Sequence, residues 1–264
     1  EECCAILDPA KLAFGLKKTA ENLGAKIYEH TAALSIEKQK QKYHIQTEKG
    51  LIKSDKVVFA TNAYSHLLKS LKYKQVPGFT RIVLTEPLGN LLKEIGWKKR
   101  QGIEDSRNLI HYYRLTHDNR LLMGGGDVGI TFGDCMDHYD SAIHFQKIHE
   151  HILEIFPSLQ NTKITHTWGG PVSVTLDLAP ALGFLGNDRT AVYSIGCIGH
   201  GVSMSNYNGL TLAELLLNTH SKRTETFFVN RFTLPWPPEP VRFALSHAIR
   251  GYMKIEDKWF ERSF

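Results

Sequence analysis

The residues "SIGCIGHGVSMSNYNG", from Ser194 to Gly209, constrain the fold of this 264-residue chain more than any other stretch. They place Gly196, Gly199 and Gly201 within six residues, and the apolar run "LTLAELLLN" follows directly after Gly209. Glycine loses more conformational freedom on folding than any other residue, so such a cluster indicates backbone that must come close to something. Because "TAVYSIG" before it is typical of a buried strand, the sequence predicts a strand, a tight turn and a helix N-terminus.

Two interpretations of this turn remain open from the residues alone. Backbone N–H groups and the helix dipole would favour an electron-rich group at such a helix start. A tight strand-to-helix turn packed against neighbouring backbone would also require glycines. The spacing G-x-x-G-x-G reverses the order of the dinucleotide-binding fingerprint G-x-G-x-x-G, so the cluster by itself does not decide between them.

The first quarter of the chain predicts a helix, a strand and a hairpin. Asp8 caps the helix, Pro9 takes its first position and Gly24 ends it. "AKIYEH" then predicts a strand, and an alternating hairpin follows over residues 35–47 with the return "LIKS". "DKVVFATNAYS" predicts a buried strand that breaks into a polar turn.

The middle of the chain predicts an antiparallel sheet. "VPGFTRIVLTEP", "NLIHYYRLTHD" and "NRLLMGGGDVG" are strand-like and are separated by turns. A helix over about residues 140–156 ends before Pro157, and "KITHTWGG" is again strand-like. The overall expectation is an α/β (α+β) chain in which an α/β layout brackets an antiparallel insert.

Composition excludes several classes of protein. The chain is 42% hydrophobic and 22% charged, and its net charge of +5 is spread over scattered basic residues, so we expect no nucleic-acid partner. No apolar run approaches a membrane span of about 20 residues. Four cysteines without a C-x-x-C pair indicate a reduced, cytoplasmic protein. His144, His149 and His151 lack the i, i+4 spacing of a helical ligand pair, so we predict no metal site.

A second motif gives the glycine cluster a context. "HTWGGPVSVTLDLAPALG" precedes it by about twenty residues, and the two together resemble the C-terminal signature of the D-amino-acid oxidase-like family of FAD-dependent oxidoreductases. The positions that match W-x-G…D-x-x-P-x-x-G and then G-x-x-G-H-G are Trp168, Gly170, Asp177, Pro180, Gly183, Gly196, Gly199, His200 and Gly201. "HYYRLTHDNRLLMGGG" and the C-terminal tail are similar to the branch of the family that contains gamma-glutamylputrescine oxidases.

The resemblance implies a fold of two domains. A Rossmann-like FAD-binding domain, here partial, would be interrupted by a substrate domain with a large antiparallel sheet. The expected boundaries are residues 1–75 for the first part of the FAD-binding domain, 76–167 for the substrate domain and 168–264 for the C-terminal part. The family's G-x-G-x-x-G fingerprint near the N-terminus has no counterpart at the start of this sequence, so we expect the chain to lack about the first third of a family member.

The resemblance also implies FAD as cofactor and assigns contacts to it. The backbone of Gly199–Val202, the turn at Thr61 and Asn62 and the position of Ala33 are expected beside the cofactor. Together, the predicted cofactor-binding residues are Ala33, Thr61, Asn62, Gly196, Gly199, His200, Gly201 and Val202.

The implied reaction is hydride transfer from the carbon that bears an amine to FAD, followed by hydrolysis of the imine, with oxygen or another acceptor reoxidising the flavin. His200, Tyr113 and Arg114 are the candidate catalytic residues; alternation along a strand lets only one of Tyr112 and Tyr113 face a pocket. Free-amino-acid oxidases of the family carry an arginine where this chain has Gly170, so an amine or a larger amino compound is favoured as substrate. The alternatives are a non-catalytic assembly protein that keeps the flavin fold, or an inactive fragment of the oxidase.

Overall fold

A computed structural model describes residues 5–138 and 141–261. The strands are β1 (Ala33–Gln39), β2 (Lys42–Thr47), β3 (Gly50–Ser54), β4 (Val57–Phe59), β5 (Val76–Pro87), β6 (Ile103–Glu104), β7 (His111–Leu115), β8 (Arg120–Gly125), β9 (Ile164–Val174), β10 (Ala181–Phe184) and β11 (Ala191–Ile195). The helices are α1 (Pro9–Asn22), α2 (Leu91–Glu94), α3 (Ala142–Ile155), α4 (Gly201–Leu217) and α5 (Val241–Glu261), with 3-10 turns at Asn62–Leu67 and Pro157–Leu159.

The chain divides into two compact units. The glycine-loop unit consists of Leu7–Asn62 and Ala179–Thr233, and the five-strand unit is built mainly from Ala63–Leu178 and the described residues after Thr233. The sequence placed the boundaries at 75/76 and 167/168 instead. Strand β9 crosses the second of these, because it pairs with β5 without interruption from Trp168 to Val174. Helix α5 also belongs to the five-strand unit, to which Asp257 ties it by accepting hydrogen bonds from the backbone amides of Asn108 and Leu109.

The glycine-loop unit contains two three-stranded sheets. Strands β1, β2 and β3 form an antiparallel meander, which confirms the predicted hairpin and its return strand. In the other sheet β4 runs parallel to β11, and β10 runs antiparallel to it. Helix α4 packs on this sheet through a small apolar core of Leu182, Val192, Leu212 and Leu215.

Helix α1 begins and ends where the sequence predicts. The Asp8 carboxylate accepts hydrogen bonds from the amides of Ala10 and Lys11, and Pro9 takes the first helical position. Gly24 follows the helix with φ +93°, a conformation that favours glycine. The strand predicted for residues 25–30 is wrong: these residues are exposed and pair with no strand among the described residues, so their backbone groups have no ladder partner there.

The five-strand unit is an antiparallel sheet, as the sequence predicts, and its strands follow the order β6-β7-β8-β5-β9. One face of the sheet packs against α3 and contributes Val83, Leu121 and Met123 to the main core, where they meet Ile148 and Ile152. The opposite face is only partly buried. The described residues include no helix that is long and apolar enough to cross a lipid bilayer.

Asp127 anchors α5 in this unit. Its carboxylate accepts from Arg250 at 2.7 and 2.6 Å and from the Lys254 ammonium at 2.5 Å. Burial alone would raise the pKa of Asp127, but the hydrogen bonds from these two cations lower it to about 2. A carboxyl group whose pKa is lower in the folded than in the unfolded chain stabilises the fold above the unfolded pKa, and that stability is lost as the pH falls.

We predict that Asp127→Asn lowers the free energy of unfolding by about 2 kcal/mol at pH 7. The difference from the wild type should persist down to about pH 4 and close as the pH falls through about 2. Urea unfolding over this pH range measures it. Asp118→Asn is the control, because Asp118 also has a pKa of about 2 but is exposed, so solvent screens its interactions. Equal losses in both variants would contradict the prediction.

Candidate cofactor and substrate sites

The parallel pairing of β4 with β11 places two turns side by side. Val57 pairs with Ala191 and Phe59 with Tyr193, so both strands end at the same edge of the sheet. The turn after β4 contains Thr61 and Asn62, and the loop after β11 leads directly into α4. Of the predicted cofactor residues, the structure therefore brings together Thr61 and Asn62 with the whole run from Gly196 to Val202.

The loop after β11 has an unusual backbone. Gly196 has φ +72°, Ile198 φ +43° and Gly199 φ +86°, so three of four consecutive residues lie in the left-handed region. A β-branched residue such as Ile198 is strained there, and strain of this kind marks functional segments. The loop closes on itself through the His200 amide, which donates to the Cys197 carbonyl at 2.8 Å.

One side-chain contact joins the two turns. The Cys197 thiol donates to the Asn62 side-chain carbonyl over 3.2 Å. Asn62 itself has φ +46°, which asparagine tolerates better than most residues. Further along α4, the buried Asn208 side chain donates to the Ser194 hydroxyl at 3.0 Å and so fixes the helix to β11.

The start of α4 leaves backbone donors available. No side chain caps the helix, whose first residue is Gly201. The amides of Gly201, Val202 and Ser203 lie in the first turn, where an α-helix provides no acceptor. Gly199 and His200 are exposed, and a Cβ added at Gly199 would meet nothing within 4 Å. Open space, exposed donors and the positive end of the helix dipole suit an electron-rich group.

Ala33 is not part of this group of residues. It is the first residue of β1, in the meander sheet, and it is exposed. Its contact with the cofactor was inferred only from the resemblance to the family, because the residues around Ala33 form no motif that indicates cofactor binding. Its assignment to the cofactor stays a prediction.

The partly buried face of the five-strand sheet carries a second group of polar and aromatic residues. The register places Tyr112, Gly124, Ile82 and Trp168 in one row and Arg114 in the next, on the face that α3 leaves uncovered. The Tyr112 hydroxyl lies 3.0 Å from the Thr80 hydroxyl, and burial raises the pKa of Tyr112. This face combines a neutral phenol, a guanidinium and a half-exposed indole.

Tyr113 lies on the other face of the sheet. Its ring contacts Trp97 and Phe156 edge to face and packs against the main apolar core. Its neighbour Tyr112, and not Tyr113, shares a face with Arg114, because side chains alternate along β7. The placement therefore gives Tyr113 a packing role in the core, on the face opposite to Arg114.

Two residues on this face were not predicted from the sequence. Thr80 is the partner of Tyr112, but nothing in its local sequence shows this. Gly124 was detectable, since a glycine inside a strand often marks a close approach: a Cβ there would lie 2.6 Å from the Tyr112 ring. Gly124 to Gly129 also fit the letters G-x-G-x-x-G, but β8 ends at Gly125 and Gly129 then bridges to Phe79, so no helix follows to bind a pyrophosphate.

Comparison with known proteins gives these sites a family. Residues 1–215 match the DAO family, described as FAD dependent oxidoreductase. The chain belongs to this family. That confirms the resemblance inferred from the Trp168–Gly201 signature, with FAD as the family's cofactor.

Individual relatives agree with the family. The chain is 33% identical to the probable oxidoreductase OrdL of Rhizobium meliloti (strain 1021) over 256 residues, covering 96% of this chain and 56% of OrdL. It is 32% identical to the gamma-glutamylputrescine oxidoreductase of Escherichia coli (strain K12) over 213 residues, covering 80% of this chain and 47% of the relative. The chain thus spans about half the length of the curated relatives it matches.

Solved structures confirm the fold class. Glycine oxidase from Geobacillus kaustophilus superposes with a TM-score of 0.68 at 21% identity, covering 80% of this chain and 54% of that one. L-proline dehydrogenase from P. horikoshii superposes with a TM-score of 0.67 at 25% identity, and the match covers 90% of this chain and 59% of the dehydrogenase. The α/β architecture with a large antiparallel sheet is therefore that of the DAO-fold flavoenzymes.

We predict that Gly124→Ala lowers the free energy of unfolding by roughly 1–3 kcal/mol, because the new methyl group would overlap the Tyr112 ring. Urea unfolding measures the loss. The double variant Gly124→Ala/Tyr112→Ala should lose less than the sum of the two single variants, since the overlap is then gone. Strict additivity in this cycle would contradict the contact.

Proposed function

We propose that the chain is the part of a FAD-dependent oxidoreductase that holds the flavin ring and contacts an amine or amino compound. The observation that carries the proposal is the glycine loop after β11, which opens onto an uncapped helix beside the turn at Asn62. FAD, when bound, supplies the acceptor for a hydride from the carbon that bears the amine, and the imine product hydrolyses in water.

The donors of the glycine loop suit the electron-rich edge of a flavin. In the proposed arrangement the amides of Gly199–Val202 hold and orient that edge, and the positive end of α4 stabilises negative charge on it. Thr61 and Asn62 contribute backbone from the neighbouring turn. His200 is exposed at the start of the helix and remains the proposed catalytic side chain of this loop. Its amide also closes the turn, so its backbone has a second, structural task.

The proposed substrate contacts are on the partly buried face of the five-strand sheet. The Arg114 guanidinium can bind a carboxylate through two parallel hydrogen bonds. The Tyr112 phenol is neutral at physiological pH and can form a hydrogen bond with a polar group. Gly170 pairs with Thr80 in the sheet and has open space around it, so this position offers room but no charge. A substrate larger than a simple α-amino acid fits these features, such as an amine carrying a distant carboxylate.

The proposal includes oxygen or another electron acceptor that reoxidises the flavin, a cytoplasmic location and no nucleic-acid partner.

The flavin contact predicts a selective effect of one glycine. Gly199→Val should weaken FAD binding at least about tenfold, because valine is strained at φ +86° and fills the space beside the donors. Equilibrium dialysis against FAD measures it. Gly24→Val is the matched control in the same unit: Gly24 has φ +93° and also has nothing within 4 Å. Equal FAD affinities of the two variants would refute the proposed contact.

The proposed contact of Arg114 with substrate predicts that substitutions of Arg114 affect amines that carry a carboxylate and not amines that lack one. The FAD-loaded protein is mixed without oxygen with amines that do or do not carry a carboxylate, gamma-glutamylputrescine among the former, and bleaching of the oxidised flavin is followed. Arg114→Ala should raise the half-saturating concentration about tenfold for carboxylate compounds only, and Arg114→Lys should restore part of it. An FAD-loaded protein that no amine reduces would instead favour the non-catalytic assembly function.

A further inference from the structure

A cluster of metal-ligand side chains lies in the five-strand unit. Its member on β7, His111, lies on the face of the sheet opposite to Tyr112 and Arg114, the residues proposed to contact substrate. Asp105 follows β6, His111 begins β7 and His151 lies in the last two turns of α3. One ligand atom from each lies within 4.8 Å of the others, and all three residues are partly buried. The end of β6, the start of β7 and α3 thus bring two imidazoles and one carboxylate together.

Hydrogen bonds already hold the two ligands from the sheet. Oδ1 of Asp105 accepts from the His111 amide at 3.0 Å and from the Arg107 amide at 3.3 Å. The other carboxylate oxygen, Oδ2, is left facing the centre of the cluster, 2.8 Å from Nδ1 of His111. The backbone therefore orients the carboxylate before any ion is present.

Outside the cluster, Glu154 orients His151. Its Oε2 lies 2.9 Å from Nδ1 of His151, which favours the proton on Nδ1 and leaves Nε2 as an acceptor. Metal-binding histidines commonly have such a carboxylate on the nitrogen that does not touch the metal. The rings of His111 and His151 stack with centroids 3.8 Å apart.

A cationic nitrogen occupies the centre of the cluster. Nη1 of Arg107 donates to Oδ2 of Asp105 and lies 3.2 Å from Nδ1 of His111 and 3.5 Å from Nε2 of His151. Oδ2 of Asp105, Nδ1 of His111 and Nε2 of His151 thus surround one positively charged group. The Arg107 side chain is 27% exposed, so it has a path to solvent.

We propose that Asp105, His111 and His151 form a binding site for Zn²⁺ or a similar divalent transition metal, and that the Arg107 guanidinium holds this position when the metal is absent. Two imidazoles and a carboxylate are ligands that zinc takes, and solvent can supply the fourth. Zinc bonds of about 2.0–2.1 Å put tetrahedral donors roughly 3.3 Å apart, within the spread of the present ligand distances.

Metal binding would tie the β6–β7 region to α3 and so stabilise the five-strand unit.

The test is calorimetric titration of the metal-stripped 264-residue chain with ZnCl₂. The wild type should bind one equivalent and gain thermal stability. Arg107→Ala should bind zinc about tenfold more tightly, since no guanidinium must be displaced, and His151→Ala at least about tenfold more weakly. His149→Ala, on the same helix, is the matched control and should bind like the wild type. Co²⁺ should give the ligand-field bands of a low-coordinate nitrogen and oxygen site in the wild type and in Arg107→Ala.

Three outcomes would overturn the proposal: no saturable zinc binding by the wild type and Arg107→Ala, weaker binding by Arg107→Ala, or equal losses in His149→Ala and His151→Ala. Circular dichroism of the metal-free variants shows that they are folded. His151→Gln, which keeps a polar side chain, replaces His151→Ala if the latter does not fold. Any of these outcomes would mean that the three side chains serve only to bind the Arg107 guanidinium.

Discussion

The parallel pairing of β4 with β11 is the constraint on which the proposed cofactor site depends. Three pairs of residues, from Val57–Ala191 to Phe59–Tyr193, join segments more than 130 positions apart in the chain. Parallel strands end at the same sheet edge, so the pairing places the turn at Asn62 against the glycine loop. The Cys197–Asn62 hydrogen bond then joins the two segments.

In the five-strand unit, side chains alternate along each strand, so core residues lie on one face of the sheet and the proposed substrate contacts on the other. Residues with one parity, such as Val83, Met123 and Tyr113, face α3 and form the core. Residues with the other parity, Tyr112 and Arg114 among them, lie on the face that stays partly buried. A shift of register by one residue would move each set of side chains to the opposite face of the sheet. The long β5–β9 pairing therefore fixes which side chains lie on the partly buried face.

The sequence was most informative where the signal is local. The cap at Asp8, the meander, the antiparallel sheet and the glycine turn all follow from short patterns, and the structure contains them. It failed where distant segments decide. Residues 25–30 have strand-like composition but no ladder partner in the described chain, and β9 carries the sheet past residue 167 because β5 continues beside it. The Asp105–His111–His151 cluster joins three elements, so the spacing of histidines within α3 could not indicate it.

The proposed contact of the glycine loop and the start of α4 with the flavin ring is best tested by the visible difference spectrum of the purified, folded 264-residue chain during titration with FAD. We expect a saturable change at one equivalent, with a shifted flavin band that stays with the protein on desalting. A chain that is folded by circular dichroism but leaves the FAD spectrum unchanged would contradict it.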